Sequence, residues 1–213
     1  DLAACSASGV WLAIVPDLLT EPTAELAVGL AIGLGRMIRD GDAIVRSGAF
    51  EGWRPVLYGT GLDRSIVTII GMGQVGRAIA QRLAGFGCHI FGVDLKAEMP
   101  PGVTRRDLTS ALADSDFIIL AAPLGSTTHH LIGRHAIAGM KPAALLINVG
   151  RGSVVDELAV ADALENHPQV GRVDLQLLVE PAADQLDVAD HVGPVFGLLR
   201  HVGHRGEGLR GQH

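Results

Sequence analysis

The sequence predicts an α/β protein with a doubly wound parallel sheet. Short apolar runs alternate along the chain with segments of helical periodicity, a pattern typical of parallel strands joined by helices on both faces of a sheet. The chain has 213 residues, of which 48% are hydrophobic, so it can bury one substantial core. A glycine-rich turn follows the run at residues 66–70, where such a sheet has its first strand-to-helix connection.

The first predicted element is a long apolar helix over residues 24–39. It follows Asp17, Thr20 and Pro22, which are typical of a helix start, and we interpret its small residues as core or dimer packing. The remaining elements are predicted from their apolar periodicity. They are strands at residues 66–70, 88–93, 117–122 and 144–149, and helices from the glycine-rich turn to about residue 83, at 108–113 and at 156–165.

Three glycines after the first strand have the spacing of a dinucleotide-binding turn. Gly71 allows backbone angles closed to other residues, Gly73 lets the chain approach a pyrophosphate, and Gly76 lets helix and strand pack closely. Gln74 and Val75 open the helix, whose free N–H groups would face the phosphates. The sequence therefore predicts a Rossmann-type site for NAD; an ordinary glycine-rich turn is the alternative.

An acidic residue closes the next apolar run. Asp94 lies 23 residues after Gly71, near the spacing of about 20 expected for a carboxylate that binds the adenosine ribose. Such a carboxylate accepts hydrogen bonds from both ribose hydroxyls and repels a 2′-phosphate. We therefore expect NAD to be preferred over NADP, a preference that Lys96 weakens slightly.

Polar residues follow the later strands, at the edge where sheets of this kind bind ligands. Arg151 lies between two glycines at the end of an apolar strand, and its planar guanidinium suits a carboxylate, phosphite or phosphate. We assign it to substrate chemistry; the alternative is an ion pair with Asp156 or Glu157 that caps the next helix. Pro123 and Val149 are expected to contact the cofactor. We expect four residues to gather at this edge: Asp94, Pro123, Asn148 and Arg151.

Composition and charge exclude several other classes of function. The net charge of −6 argues against a nucleic-acid partner. No apolar run approaches about 18 residues and the first 15 residues lack the basic start of a signal peptide, so we expect a cytoplasmic protein with no membrane partner. The two cysteines are too few for a disulfide framework, and the nine histidines show no metal-binding spacing, so no metal is expected.

Longer blocks of the chain match one known family. The blocks at residues 22–30, 71–76, 115–124 and 148–157 resemble the NAD-binding region of D-2-hydroxyacid dehydrogenases, and the likeness extends over about residues 1–170. Within that family, the block at residues 46–63, with Trp53 and Tyr58, is most similar to phosphite dehydrogenases. The resemblance implies oxidation of phosphite to phosphate with hydride transfer to NAD. A D-2-hydroxyacid dehydrogenase of the glyoxylate or hydroxypyruvate reductase type, and an inactive NAD-binding module, are the alternatives.

The resemblance also implies roles for individual residues. Arg151 matches the arginine that binds the anionic substrate. Glu180 matches a glutamate that supports a histidine, and His201 matches that histidine, a general base whose pKa the carboxylate raises. Family members pair through the region of residues 24–39, which implies a homodimer.

The family pattern thins towards the end of the chain. Asp174 lies one place before the family's aspartate on the nicotinamide side, so the orientation of the nicotinamide is an open question. We expect three segments: a remnant and hinge of a substrate domain at residues 1–17, an NAD-binding domain at 18–200, and a divergent, disordered tail at 201–213. Most of the family's substrate domain, with its catalytic lysine, is expected to be missing from this sequence.

Overall fold

The computed structural model describes residues 1–13, 17–52, 55–166 and 173–175. Six parallel strands form one sheet in the order β3-β2-β1-β4-β5-β6. The strands are β1 (Ile66–Ile70), β2 (His89–Val93), β3 (Val103–Arg105), β4 (Phe117–Leu120), β5 (Leu145–Asn148) and β6 (Val173–Leu175). The helices are α1 (Leu2–Ala7), α2 (Thr20–Gly35), α3 (Ile38–Arg46), α4 (Gln74–Leu83), α5 (Leu108–Asp114), α6 (Arg134–Ala138) and α7 (Glu157–Asn166). The strand order confirms the predicted doubly wound sheet.

The hydrophobic core lies in two layers, one on each face of this sheet. Successive residues of a strand point to opposite faces. Phe117 and Ile119 of β4 therefore pack with α2 and α4, whereas Ile118 and Leu120 pack with α5, α6 and α7. All four side chains are fully buried. Continuous apolar strands are required here because both faces are covered by helices.

The predicted helix over residues 24–39 was wrong at both ends. The structure has α2 from Thr20 to Gly35, and the chain then turns at Met37, whose φ of 55° is left-handed, before α3 begins. At this point α2 lies close to other segments: a Cβ on Gly35, its last residue, would lie 2.6 Å from the Thr60 carbonyl oxygen and 3.0 Å from the Phe117 ring, so only glycine fits there. This contact involves distant parts of the chain and leaves no local pattern.

Other boundaries differ less from the predictions. The predicted strands at 117–122 and 144–149 are shorter, at Phe117–Leu120 and Leu145–Asn148. Elements α1, α3, β3, α6 and β6 were not predicted. Strand β3 has only three residues, two of them exposed, so it has no apolar run and depends on its pairing with β2. None of the helices in the described part of the chain has the length and apolarity needed to cross a membrane.

Two buried hydroxyl groups link β1 and β4, the two central strands of the sheet. Thr68 of β1 and Ser115, just before β4, are both fully buried, and their hydroxyl oxygens lie 2.5 Å apart. The Ser115 hydroxyl donates to the Ala111 carbonyl at 2.6 Å, so the Thr68 hydroxyl is the donor to Ser115. Nearby, the Asp116 carboxylate accepts from the Ile66 N–H at 2.8 Å and from Lys141 Nζ at 3.0 Å. These contacts fix β1 against β4.

Candidate functional site

The turn between β1 and α4 and the first turn of α4 each require glycine at one position for reasons internal to the fold. Gly71 has a φ of 96°, and a Cβ there would lie 2.6 Å from the Ala122 nitrogen. A Cβ on Gly76 would overlap the Gly71 carbonyl oxygen. Both predicted glycine roles, the tight turn and the close packing of helix on strand, therefore have a structural basis.

Gly73 is constrained differently, because no protein atom lies within 4 Å of a Cβ built on it. It is the N-cap of α4, with no side-chain cap, and Gln74 beside it is exposed. The first N–H groups of a helix have no partner within the helix and attract phosphate oxygens. Open space and free donors at one point fit a dinucleotide pyrophosphate, which is the role predicted for Gly73.

Asp94 lies beside this turn, at the end of β2. Its Oδ2 accepts from the Met72 N–H at 2.8 Å, and its Oδ1 accepts from the N–H groups of Lys96 and Ala97, both at 2.8 Å. Partial burial acts to raise the pKa of Asp94, but the hydrogen bonds from Ala97, Lys96 and Met72, together with the charge on Arg105, outweigh it and lower the pKa. The group is therefore a carboxylate at neutral pH.

These bonds limit what Asp94 can still accept. A carboxylate has about four acceptor positions, and three are occupied by backbone N–H groups. One position remains, on Oδ2. The binding of both ribose hydroxyls by this carboxylate stays a prediction.

The turns after β1, β4 and β5 meet at Ala122. A Cβ on Gly71 would touch its nitrogen from one side, and a Cβ on Gly150 would lie 2.7 Å from its carbonyl oxygen. The backbone of Pro123 continues this segment, and its carbonyl accepts from the Thr128 hydroxyl at 2.6 Å. The nucleotide turn and the loop of Arg151 thus lie on either side of one residue, at the edge where the sequence predicted ligands.

Asn148 shapes the loop that carries Arg151. The Asn148 side chain is 1% exposed; its Nδ2 donates to the Arg151 carbonyl at 3.0 Å, and its Oδ1 accepts from the Gly150 N–H at 3.0 Å. The Arg151 side chain is exposed, and Nη1 donates to the Gly150 carbonyl at 3.4 Å. Asp156, the proposed alternative partner of Arg151, caps α7 itself by accepting from the Ala159 N–H at 3.1 Å.

The other predicted site residues are placed as follows. Val149 is buried, so its backbone rather than its side chain can face a cofactor, and Val75 is half-buried against the core. Glu180, His201 and Trp53 lie outside the described residues. The functional roles assigned to all of these residues stay predictions.

Sequence reasoning missed the side-chain contacts that support the site. Asn148 was expected at this edge but was given no role, and Arg77 and Arg105, which contact the segment after Asp94, were not considered. An arginine that binds backbone carbonyls leaves no spacing pattern, so only the structure reveals it. Within the described ranges, no group of three or more His, Cys, Asp or Glu residues could hold a metal ion.

Comparison with known protein families gives one match to the larger part of the chain. Residues 28–175 match the family described as "D-isomer specific 2-hydroxyacid dehydrogenase, NAD binding domain". The matched range includes the glycine-rich turn, Asp94 and Arg151.

Individual relatives agree with this match. The chain is 38% identical over 174 residues to a glyoxylate reductase of Thermococcus litoralis, covering 78% of this chain and 53% of that protein. It is 38% identical over 172 residues to a glyoxylate/hydroxypyruvate reductase B of Pectobacterium carotovorum, covering 76% and 52%. A D-lactate dehydrogenase of Aquifex aeolicus, solved with NAD and lactic acid, superposes with a TM-score of 0.76 at 26% identity, covering 84% and 54%. The chain spans about half the length of these proteins.

Proposed function

Because this chain belongs to the D-isomer specific 2-hydroxyacid dehydrogenase family, as its NAD-binding domain, we propose that it is the cofactor-binding half of a reductase of small 2-oxo acids. Glyoxylate and hydroxypyruvate are the proposed substrates. The relatives named glyoxylate reductase and glyoxylate/hydroxypyruvate reductase B support this choice over phosphite.

The position of the Arg151 loop relative to the nucleotide turn supports this proposal. Gly71 and Gly150 both pack against the backbone of Ala122, so the nucleotide turn and the loop that carries Arg151 flank the same residue. An exposed guanidinium next to a bound dinucleotide offers a planar, charge-assisted fork to the carboxylate of a 2-oxo acid. Arg151 would thereby hold the carbonyl carbon of the substrate close to the nicotinamide, and this proximity lowers the activation barrier of hydride transfer.

The proposed reaction is glyoxylate + NADH + H⁺ → glycolate + NAD⁺. When bound, NADH would supply the hydride that reduces the carbonyl carbon. Arg151 holds the substrate carboxylate and partly neutralises charge that develops on the carbonyl oxygen. Glu180 and His201, outside the described residues, are proposed as the pair that protonates this oxygen, with the glutamate holding the histidine in its protonated form.

Phosphite oxidation is the second candidate. It rests on the block at residues 46–63, which is most similar in sequence to phosphite dehydrogenases. Tyr58 in this block is 83% exposed, so it is available to contact another part of the whole protein. Arg151 suits phosphite as well as a carboxylate, so the two substrates need a direct comparison.

We also propose that two copies of the chain pair. Five large apolar side chains in the stretch of residues 18–50 are more than half exposed. They are Leu18, Leu19, Ile38, Val45 and Phe50. A second copy covering α2 and α3 would bury them.

The test measures NADH absorbance with the whole protein that contains this chain, as wild type and as Arg151→Met, each supplied with glyoxylate or hydroxypyruvate, and in a separate assay with NAD and phosphite. NADH oxidation by the wild type and not by R151M is expected. NADH formation on phosphite without reduction of glyoxylate would replace the proposal by the second candidate. NAD binding with neither reaction would contradict catalysis and leave an NAD-binding module.

A further inference from the structure

The segment that carries Asp94 is held by two arginines from different elements. Arg105 of β3 donates from Nη1 to the Asp94 carbonyl at 2.7 Å and from Nη2 to the Ala97 carbonyl. Arg77 of α4 donates from Nη2 to the Glu98 carbonyl at 2.7 Å. Three of the carbonyls between residues 94 and 98 are therefore bound by guanidinium groups. We call residues 94–98 the ribose loop, because Asp94 is its predicted ribose contact.

Arg77 also ties the ribose loop to the nucleotide turn. Its Nε donates to the Met72 carbonyl at 3.2 Å, while the Met72 N–H donates to Asp94 Oδ2. Both polar groups of Met72 are thus bound, one by Arg77 and one by Asp94. A Rossmann-type site takes the adenosine ribose between this turn and this loop. Hydrogen bonds through the N–H and the carbonyl of Met72 therefore connect the nucleotide turn to the ribose loop.

We propose that Arg77 and Arg105 are positioning residues that hold the Asp94 carboxylate in place for the adenosine ribose, and that they thereby set the preference for NAD over NADP. A ribose loop ordered before binding avoids the entropy cost of ordering it on the ligand. A fixed carboxylate keeps its repulsion of a 2′-phosphate at short range, whereas a loosened loop lets it move away. The inference depends on the cofactor and not on the proposed substrate, so a failure to reduce glyoxylate leaves it intact.

Lysine variants distinguish the hydrogen bonds of the two guanidinium groups from their positive charge. Arg105→Lys and Arg77→Lys keep the positive charge but lose the planar fork that reaches two carbonyls at once. Matched controls are Arg106→Lys, next to Arg105 but with its guanidinium 4.7 Å from the Phe91 ring, and Arg82→Lys, on the same helix as Arg77 but paired with Glu21 and Glu25.

The first measurement is the Kd for NAD and for NADP, by titration calorimetry, in all four variants. We expect R105K and R77K to bind NAD about three- to tenfold more weakly, the range for loss of a hydrogen bond. Their Kd for NADP should change less, so the NADP-to-NAD ratio of Kd falls. R106K and R82K should keep the wild-type ratio.

Amide hydrogen exchange gives a second readout, which does not need ligand. The N–H groups of Lys96 and Ala97, which donate to Asp94, should exchange about tenfold faster in R105K than in the wild type, while those of β1 stay protected. Unchanged NAD affinity, ratio and exchange in R105K and R77K would overturn the proposal. So would equal losses for NAD and NADP together with a lower melting temperature, since these indicate a merely structural role. A wild-type chain that binds neither nucleotide would overturn it as well, together with the cofactor assignment.

Discussion

Gly73, the N-cap of α4, and Gly76, in the first turn of that helix, are constrained in different ways. A side chain at Gly76 overlaps the Gly71 carbonyl, whereas one at Gly73 enters open space. Gly76→Ala is therefore expected to cost about 1–3 kcal/mol of unfolding free energy, as overpacking does. Gly73→Ala should change stability by less than about 0.5 kcal/mol, as at other unconstrained surface sites, but weaken NAD binding at least about tenfold by occupying the approach of the pyrophosphate.

Urea unfolding and calorimetry of the two variants check this contrast. Gly85→Ala is a suitable control, because a Cβ there also meets nothing within 4 Å and the residue lies beyond the far end of α4. Wild-type NAD affinity in G73A would show that the pyrophosphate does not lie over this residue.

Asp94 is expected to affect both the free energy of unfolding and the preference for NAD over NADP. Asp94→Asn keeps the shape but removes the charge, and an amide nitrogen then faces one or more of the three N–H groups that the carboxylate accepts. We expect a loss on the order of 1 kcal/mol of unfolding free energy and a smaller preference for NAD over NADP. An unchanged NADP-to-NAD ratio of Kd would remove the role of this carboxylate in discrimination.

The pH dependence of the same variant has a definite sign. The pKa of Asp94 is lowered in the folded protein, so its ionised form contributes stability above the unfolded-state value of about 3.9, and that contribution is lost as the pH falls through the folded-state pKa. The difference in unfolding free energy between wild type and D94N should therefore be constant from neutral pH to about pH 5 and shrink below about pH 4. Unfolding curves at several pH values measure it; a difference that grows on acidification would contradict the lowered pKa.

Strands β1 and β4 are joined by the buried Thr68–Ser115 pair. Ser115→Ala leaves the Thr68 hydroxyl without its acceptor inside the sheet, which should cost about 1–3 kcal/mol of unfolding free energy. Adding Thr68→Val removes the stranded hydroxyl, so the double variant should lose less than the two single variants together. Thr104→Val, at an exposed position of β3, is the control. Strictly additive losses would show that the two hydroxyls act independently.

The predictability of the elements follows from what each one packs against. The strands β1, β2, β4 and β5 are buried by helices, so their apolar runs are visible in the sequence. Strand β3 is mostly exposed and forms because it pairs with the edge of β2, and the glycine at the end of α2 is required by contacts with the distant residues Thr60 and Phe117. Local patterns therefore predict central elements well and miss those that depend on distant partners.

Some residues of the candidate site could be predicted from the sequence, and others could not. Gly71, Gly76 and Asp94 were predictable because their spacing is required by the backbone of the turn itself. The support given by Arg77, Arg105 and Asn148 was not, because each binds backbone carbonyls, which every residue has. A sequence thus indicates where a nucleotide turn lies more readily than it indicates what holds that turn.

Pairing of two copies belongs to the whole molecule and can be tested by sedimentation. Ile38→Glu places a charge among the exposed apolar residues of the stretch 18–50 and should shift a dimer to a monomer. Leu158→Glu is the matched control, because Leu158 is 83% exposed on α7, which packs on the opposite face of the sheet from α2. A wild-type chain that sediments as a monomer at all concentrations, or equal effects of both variants, would contradict pairing through this stretch.

The edge formed by the glycine-rich turn, Asp94 and the loop of Arg151 is expected to bind NAD in preference to NADP. Titration calorimetry of the wild-type chain with each nucleotide at one ionic strength measures this preference. We expect one NAD bound per chain, with a Kd at least about tenfold below that for NADP, since repulsion between a carboxylate and a 2′-phosphate exceeds about 1.4 kcal/mol at short range. NADP binding as tight as NAD, or no binding of either nucleotide, would show that this edge does not select NAD.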